Sequence, residues 1–143
     1  NPANHYVERF VEDVDLSKVL TASHVMLRPE TIPFDRGPRV ALQLMKETGV
    51  SNLYVVDNER RLLGAVTAEG ASTAVKEGKS LSEITIKDVP RVKPDTLLND
   101  LFQTVSETSV PVAVIDDNEK LKGIIIRGAV LAALAGNQNV GGE

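Results

Sequence analysis

The sequence contains no cysteine among its 143 residues. This absence excludes a disulfide framework and any metal site built on thiolates, and it fits a reducing compartment. The chain also has no run of about 20 consecutive apolar residues, which a membrane-spanning helix would need. With 42% hydrophobic and 25% charged residues, the composition is that of a globular domain.

The sequence has no concentration of positive charge. Its net charge of −4 disfavours nonspecific binding of nucleic acid, which depends on clustered lysine and arginine side chains. The densest basic pairs are Arg60-Arg61 and Lys120 with Lys122. Both pairs occupy predicted turns, so we interpret them first as solvated hairpins and expect no nucleic-acid partner.

Catalytic and metal-binding motifs are also missing. His5 and His24 are far apart and neither stands in a metal-ligand spacing. No GxxxxGK[ST] loop occurs, so we expect the chain not to hydrolyse nucleotides. Asp116-Asp117 occupies a turn that recurs as Asp57-Asn58, which favours turn capping over a metal site. We therefore predict no catalytic residue, no metal ligand and no required cofactor.

What the sequence does contain is an internal duplication. Residues 50–67, VSNLYVVDNERRLLGAVT, have the pattern strand, polar turn, strand, and residues 110–126, VPVAVIDDNEKLKGIII, repeat it. Gly64 and Gly123 mark the equivalent positions, 59 residues apart (123 − 64). Two similar halves with apolar faces bury those faces on one another and leave related clefts at the seam.

Hydrophobic periodicity places helices and strands in both copies. The strands of the second copy are nearly continuous apolar runs, which is typical of strands covered on both faces. In the first copy we predict helices over 39–48 and 69–77 and strands over 53–56 and 62–67. In the second copy we predict helices over 96–107 and 129–134 and strands over 110–115 and 123–126.

Four regions follow along the chain. Residues 1–20 form an N-terminal helix and linker, with an amphipathic helix predicted over 2–14. The first repeat covers 21–79 and the second covers 80–136. The polar, glycine-rich residues 137–143 are predicted to be a flexible tail.

The repeated order of helix, strand, turn, Gly64-Ala-Val-Thr and helix resembles the tandem cystathionine-β-synthase (CBS) module, a regulatory domain appended to enzymes and transporters. The opening NPANHYVERFVEDVDLSKVLTASHVM and the closing RGAVLAALAGN resemble the ATP-binding subunits of glycine betaine/proline ABC importers. The resemblance implies an α/β fold, a tandem CBS pair of two β-α-β-β-α repeats packed with pseudo-twofold symmetry. It also implies a regulatory, non-catalytic module.

The resemblance carries expectations about partners. The chain begins at Asn1 without a methionine, so we expect a piece of a longer protein. The partners implied are the ATPase core of the same chain and the membrane subunits of a transporter, at the cytoplasmic side of the cell membrane. The closing helices carry apolar residues beyond those that one core needs, which predicts a homodimer.

CBS modules that bind adenine nucleotides usually carry a G-h-h-[ST]-x-x-D stretch, whose hydroxyl and carboxylate hold the ribose. The first copy keeps Thr67 but has Gly70 at the aspartate position. The second copy has Ile126 and Ala129 at the two positions. These substitutions argue against ordinary AMP or ATP sensing, because the ribose hydroxyls lose their acceptor.

Importers of this family are regulated through the CBS pair by cyclic di-AMP or by ionic strength. In the cyclic di-AMP case an Ile-x-Ile-Arg stretch and the start of the preceding strand contact the dinucleotide, with the guanidinium on a phosphate. The alternative is that both isoleucines belong to the core and that the arginine is solvated. The matching residues, together with the ribose-motif hydroxyl, are Val50, Ser51, Thr67, Pro111, Val112, Ile124, Ile126 and Arg127.

Two further interpretations remain open from the sequence. A sensor of ionic strength would use a basic surface against anionic lipid, and Arg60, Arg61, Lys120 and Lys122 would supply it. A dimerisation module without any ligand is the other interpretation.

Overall fold

The computed structural model describes residues 18–108 and 111–142. The amphipathic helix predicted over 2–14 lies outside the described residues. The fold is mixed α/β with two three-stranded sheets, ordered β1-β2-β3 and β4-β5-β6. In each sheet the first two strands are parallel and the last two are antiparallel. The predicted fold class, a tandem pair of β-α-β-β-α repeats, is confirmed.

The elements of the first half follow the predicted order. They are α1 (Ala22–Val25), β1 (Thr31–Pro33), α2 (Pro38–Thr48), β2 (Asn52–Val56), β3 (Leu62–Thr67) and α3 (Ala68–Glu77). The second half contains α4 (Leu81–Ile84), β4 (Arg91–Val92), α5 (Leu98–Glu107), β5 (Val112–Ile115), β6 (Leu121–Ile125) and α6 (Arg127–Gly142).

Local chemistry sets the ends of the helices in the first repeat. Proline stands at the first position of α2, where its missing amide hydrogen costs nothing. That helix ends at Gly49, whose φ of 73° is left-handed and whose amide donates to the Met45 carbonyl. Thr67 is the N-cap of α3, and its hydroxyl accepts a hydrogen bond from the Gly70 amide at 3.0 Å.

The central strands are covered on both faces, as their apolar runs predict. In β2, Leu53 and Val55 pack into the core of the first repeat, whereas Tyr54 and Val56 face the second repeat. The same alternation occurs in β5. The core between the repeats is built from Tyr54, Val56, Leu62, Val89, Ala113, Ile115 and Leu121.

The opening segment of each repeat, before its first strand, packs on the other repeat. Leu27 and Ile124 exchange two backbone hydrogen bonds of 2.7 and 3.0 Å, and Ile86 pairs with Ala65 in the same way. Ala22 and Val25 of α1 belong to the core of the second repeat. This exchange joins the two repeats more closely than face-to-face packing alone.

The element bounds at the C-terminal end differ from the sequence prediction in two places. The strand predicted over 123–126 ends at Ile125, and the last helix runs from Arg127 to Gly142. Helix therefore replaces the flexible tail predicted over 137–143, as far as Gly142. Once an alanine-rich turn is formed, each further residue adds one hydrogen bond, so the helix propagates into poorer helix-forming residues.

Candidate functional site

A cleft of about 430 Å³ lies between the two repeats, and we call it the seam cleft. Residues before β1, the loop from α2 to β2, and the starts of β2 and β5 supply its walls. This volume lies within the range of small-molecule sites. The lining residues are Leu27, Arg28, Glu30, Gly49, Val50, Ser51, Asn52, Tyr54, Pro111 and Ile124.

Tyr54 forms the inner wall of the seam cleft. Its side chain is 3% exposed, and its hydroxyl donates a 3.3 Å hydrogen bond to the carbonyl of Pro111. Burial raises the pKa of Tyr54 to about 12, because the charged phenolate is poorly solvated there. The phenol therefore stays neutral at physiological pH and ties the first repeat to the second.

Four polar side chains line the cleft around this wall, those of Arg28, Glu30, Ser51 and Asn52. None of the four has a hydrogen bond or ion pair with another side chain within residues 18–108 and 111–142. Their donors and acceptors are therefore available to a ligand. The site combines one cation and one carboxylate with an apolar wall.

The sequence does not indicate Arg28 as a ligand-binding residue, because the predicted ligand contacts lie on strands and at the start of a helix, whereas Arg28 lies before β1. The antiparallel bridge from Leu27 to Ile124 brings the neighbouring arginine to the mouth of the cleft. The duplication does indicate a cation at this position, because Lys87 stands at the equivalent position of the second copy, 59 residues on.

The structure brings together half of the sequence-predicted ligand residues. Val50, Ser51, Pro111 and Ile124 all line the seam cleft, although the first two come from one repeat and the last two from the other. Ile124 is half-buried and not a fully enclosed core residue.

Val112 and Thr67 do not line the cleft. The Val112 side chain is fully buried in the core of the second repeat, beside Val114 and Ile125, so its contact with a ligand stays a prediction. The residue after Pro111 in an extended strand points to the opposite face. Thr67 is half-buried, and its hydroxyl is engaged by the Gly70 amide.

Ile126 and Arg127 lie elsewhere, on the outside of the second repeat where α6 begins. Ile126 is 38% exposed, which excludes the alternative that it is a core residue. The guanidinium of Arg127 donates a long 3.4 Å hydrogen bond to the Val105 carbonyl. Leu131, one turn along the same helix face, is 55% exposed. We call Ile126, Arg127 and Leu131 the α6 surface.

The position of the missing ribose carboxylate is Gly70, in the first turn of α3. A Cβ atom there would lie 3.1 Å from the Thr67 hydroxyl oxygen. The backbone amide of Gly70 already donates a hydrogen bond to this hydroxyl oxygen. The first repeat therefore offers a ribose no carboxylate at this position, and one lone pair of the Thr67 oxygen is already used by the helix cap.

The two hairpin turns contain Asp57 and Asp116 together with the densest basic pairs of the sequence. Asp57 accepts the amides of Glu59 and Arg61, and Asp116 accepts those of Asn118 and Lys120, all within 3.0 Å. Turn capping, predicted from the sequence, is confirmed. In the part of the chain that the structure describes, no three His, Asp or Glu side chains are grouped to hold a metal ion.

These turns also neutralise much of their own positive charge. The Arg61 guanidinium lies 2.7 Å from the Asp57 carboxylate, and Lys122 lies 3.7 Å from that of Asp116. The backbone hydrogen bonds to both carboxylates, with the basic neighbours, hold the pKa values of Asp57 and Asp116 below the ordinary value. A basic surface against lipid would have to form from the few cations that remain.

Comparison with known proteins places this geometry in a family. The sequence model of the CBS domain matches residues 22–77 and again residues 81–136. The glycine betaine/carnitine transport ATP-binding protein GbuA of Listeria monocytogenes is 54% identical over 140 residues, 96% of this chain and 35% of GbuA. The glycine betaine transport ATP-binding protein OpuAA of Bacillus subtilis is 50% identical over 137 residues, 96% of this chain and 33% of OpuAA. The chain thus spans about a third of these relatives.

Solved structures agree with the fold. Staphylococcus aureus OpuCA superposes with a TM-score of 0.74 at 29% identity, over 78% of this chain and 97% of that chain. CbpB in complex with c-di-AMP gives a TM-score of 0.75 at 14% identity, over 85% of this chain and 89% of that chain, a likeness of fold alone. Within the described residues, no helix has the length and apolar character needed to cross a membrane.

Proposed function

Because the chain belongs to the CBS domain family and forms a tandem pair, we propose that it senses cyclic di-AMP for an osmoprotectant ABC importer. A tandem CBS pair is a regulatory module and not a catalytic one. In this proposal it is part of an ATP-binding subunit and controls transport from the cytoplasmic side of the membrane, next to the transporter's membrane subunits. The names of GbuA and OpuAA support the importer assignment.

The α6 surface is the observation that carries the choice of ligand. Arg127 is exposed and held only by one long hydrogen bond to Val105, so its planar guanidinium is free to make two hydrogen bonds to a phosphate. Ile126 stands beside it with an exposed apolar side chain, which would cover a face of adenine. One copy of the module therefore supplies contacts for one half of a cyclic dinucleotide.

The symmetry of the ligand matches a homodimer. Cyclic di-AMP has a twofold axis, and a C₂ dimer places identical surfaces around such an axis. Leu131 leaves more than half of its side chain exposed on the same helix face, and a second copy would cover it. We infer that two modules meet along α6 and that the dinucleotide lies between them.

Binding would act through a shift of population. A ligand that contacts both copies favours the dimer arrangement in which both Arg127 side chains face it. The attached ATPase core would then respond to the arrangement of the CBS dimer, without any direct contact with the nucleotide.

A second candidate is a mononucleotide in the seam cleft, favoured by the cleft itself. Its volume and the available side chains of Arg28, Ser51 and Asn52 suit a small polar ligand with a flat ring. The ribose motif of the first copy lacks its carboxylate at Gly70, and neither Thr67 nor Gly70 lines the seam cleft, which weakens this candidate.

Calorimetry on two matched arginine variants separates these sites. Arg127→Ala should weaken cyclic di-AMP binding by about 1.5–3 kcal/mol, the range for hydrogen bonds to charged groups. Its effect on folding stability should stay under about 0.5 kcal/mol, since the residue is exposed. Arg28→Ala should leave cyclic di-AMP binding unchanged. Arg127→Lys should recover part of the loss, because an ammonium cannot make the planar pair of bonds.

Lys122→Ala controls for general charge near the same face. Equal losses in the Arg127 and Lys122 alanine variants, removed by added salt, would contradict the assignment of Arg127. A loss confined to Arg28→Ala would move the ligand to the seam cleft. If neither cyclic di-AMP nor AMP binds the wild type, the proposal of nucleotide sensing fails and ionic-strength sensing takes its place.

A further inference from the structure

A second cleft, of about 390 Å³, lies where the segment between the two repeats crosses the first sheet. We call it the linker cleft. Thr85 and Lys87 come from that segment, Arg91 begins β4, and Phe34 and Leu63 come from the first repeat. The linker cleft shares no lining residue with the seam cleft.

The walls of the linker cleft are apolar and open to solvent. Phe34 is 37% exposed and Leu63 is 39% exposed, whereas Val55 and Leu62 are buried beneath them. The backbone amide of Phe34 donates to the Val56 carbonyl at 2.9 Å, which fixes the backbone of this residue at the end of β1. Two large, partly exposed apolar side chains therefore flank the cleft.

The rim of the same cleft is positively charged. Neither Lys87 nor Arg91 has an ion pair within residues 18–108 and 111–142. Arg91 Nη2 donates to the Lys87 carbonyl at 3.4 Å, which keeps the two residues together. Asp35 and Asp88, the acidic neighbours in sequence, do not line the cleft. The charge of the two cations is therefore uncompensated in the cleft.

The duplication shows that residues around this opening differ from their equivalents in the other half of the chain. Thr85 packs over Gly64, and Met26 packs over the equivalent Gly123, so the two side chains occupy matching places. A short hydroxyl side chain thus stands where the other repeat has a long thioether. Leu63 likewise stands where the other repeat has a lysine, 59 residues on. Thr85 of the second repeat thus presents a short side chain to the cleft, and Leu63 of the first repeat presents an apolar one.

We propose that the linker cleft binds an amphipathic anion, a phosphate monoester attached to an apolar group. Lys87 and Arg91 take the phosphate, with the guanidinium able to make two parallel hydrogen bonds to it. Phe34 and Leu63 cover the apolar group, whose burial drives binding. Ser82 and Thr85 also line the cleft, and the Thr85 hydroxyl donates to the Leu81 carbonyl at 2.8 Å. Such an anion has two sources, a soluble aryl or nucleoside phosphate and a lipid with a phosphate headgroup.

The test compares the wild-type chain with Lys87→Ala/Arg91→Ala and with a control, Lys46→Ala/Lys76→Ala, which removes two exposed cations from α2 and α3. The soluble probe is phenyl phosphate, titrated by calorimetry. The lipid probe is phosphatidic acid in phosphatidylcholine vesicles, measured by co-sedimentation. At least one probe should bind saturably to the wild type. The Lys87/Arg91 double variant should weaken that binding at least about tenfold, as the loss of charged hydrogen bonds implies, while the control stays within about twofold.

A third variant tests the space without changing charge. Thr85→Met introduces the side chain that the other repeat carries, and it should weaken the same probe about tenfold by filling the gap. Binding of phenyl phosphate alone identifies a soluble ligand, and binding of vesicles alone identifies a lipid; each supports the proposal.

Three results would overturn it: no saturable binding of either probe, equal losses in the two double variants, or full binding by a folded Thr85→Met variant. Cyclic di-AMP binding should persist in Lys87→Ala/Arg91→Ala, which keeps this test independent of the α6 surface.

Discussion

Gly64 and Gly123 occupy equivalent places in β3 and β6, yet their neighbours differ. A Cβ atom on Gly64 would meet the backbone carbonyl of Ile86, closer than real Cβ contacts occur, and the methyl of Thr85 at 2.6 Å. For a Cβ atom on Gly123 the three nearest atoms all belong to the side chain of Met26, with the sulfur at 2.6 Å. Backbone held by two hydrogen bonds cannot move aside, whereas a methionine can change rotamer.

The two glycine-to-alanine variants should therefore differ in stability. We expect Gly64→Ala to lower the free energy of unfolding by about 2–3 kcal/mol and Gly123→Ala by about 1 kcal/mol or less, within the range for overpacking. Urea denaturation followed by circular dichroism measures both. Equal costs would show that the Ile86 segment moves as freely as the methionine side chain.

At the scale of elements, the two β-hairpins form the same kind of turn from two different stretches of sequence. Arg60 and Glu119 adopt left-handed φ angles of 68° and 65°, which non-glycine residues seldom do. Each turn is held by an aspartate that accepts two backbone amides, and the turns pair with each other through Leu62 to Glu119 and Leu121 to Arg60, both 3.0 Å. The aspartates thus offset the strain of the turns and hold the two hairpins in register.

Those aspartates predict a loss of stability in acid. The folded pKa values of Asp57 and Asp116 lie below the ordinary value of 3.8, so the unfolded chain binds protons first. Their contribution is present above about pH 4 and is lost as the pH falls through the folded pKa values. Asp57→Asn/Asp116→Asn keeps an oxygen for the turn but cannot titrate.

Urea midpoints measured from pH 5 downwards should accordingly fall less steeply for this double variant than for the wild type. Asp117→Asn, which changes a nearly fully exposed carboxylate in the same turn, should follow the wild-type curve. A double variant with the wild-type slope would mean that other carboxylates dominate acid unfolding.

At the scale of the whole molecule, the seam between the repeats is the feature that creates a site. Tyr54 belongs to β2 but its hydroxyl is bound to Pro111 of the other repeat. The equivalent residue in β5 is Ala113, so the two sides of the seam are not alike. One tyrosine thus makes the pseudo-twofold structure asymmetric at the cleft.

This tyrosine predicts a loss of stability in alkali. Its folded pKa of about 12 exceeds the ordinary value of 10.0, so between these values the unfolded chain has released the proton and the folded chain has not. Stability should therefore fall from about pH 10 upwards, by at most about 1.4 kcal/mol per pH unit. Tyr54→Phe should remove this slope and, at neutral pH, cost about 0.5–1.5 kcal/mol for the lost hydrogen bond.

Thermal or urea unfolding of Tyr54→Phe and wild type at pH 7 and pH 10.5 tests this expectation, because lysine titration is common to both proteins and cancels in the difference. An unchanged difference between the two pH values would contradict the buried state of the phenol.

The sequence by itself determined the duplication, the α/β class, the strands covered on both faces and the aspartate-capped turns, because these depend on local chemistry and on the period of apolar residues. It could not determine which positions converge. Val112 follows Pro111 by one residue, yet the alternation of side chains along a strand buries one and leaves the other at the cleft.

Tertiary structure alone decided the rest. Arg28 reaches the seam cleft because Leu27 pairs with Ile124, nearly a hundred residues away, and the linker cleft forms because Thr85, Lys87 and Arg91 lie against residues of the first repeat. Ile126 and Arg127 are outside because β6 ends one residue earlier than the apolar run suggests. Contacts between segments distant in sequence carry no local signal, so their geometry follows only from how the two repeats pack.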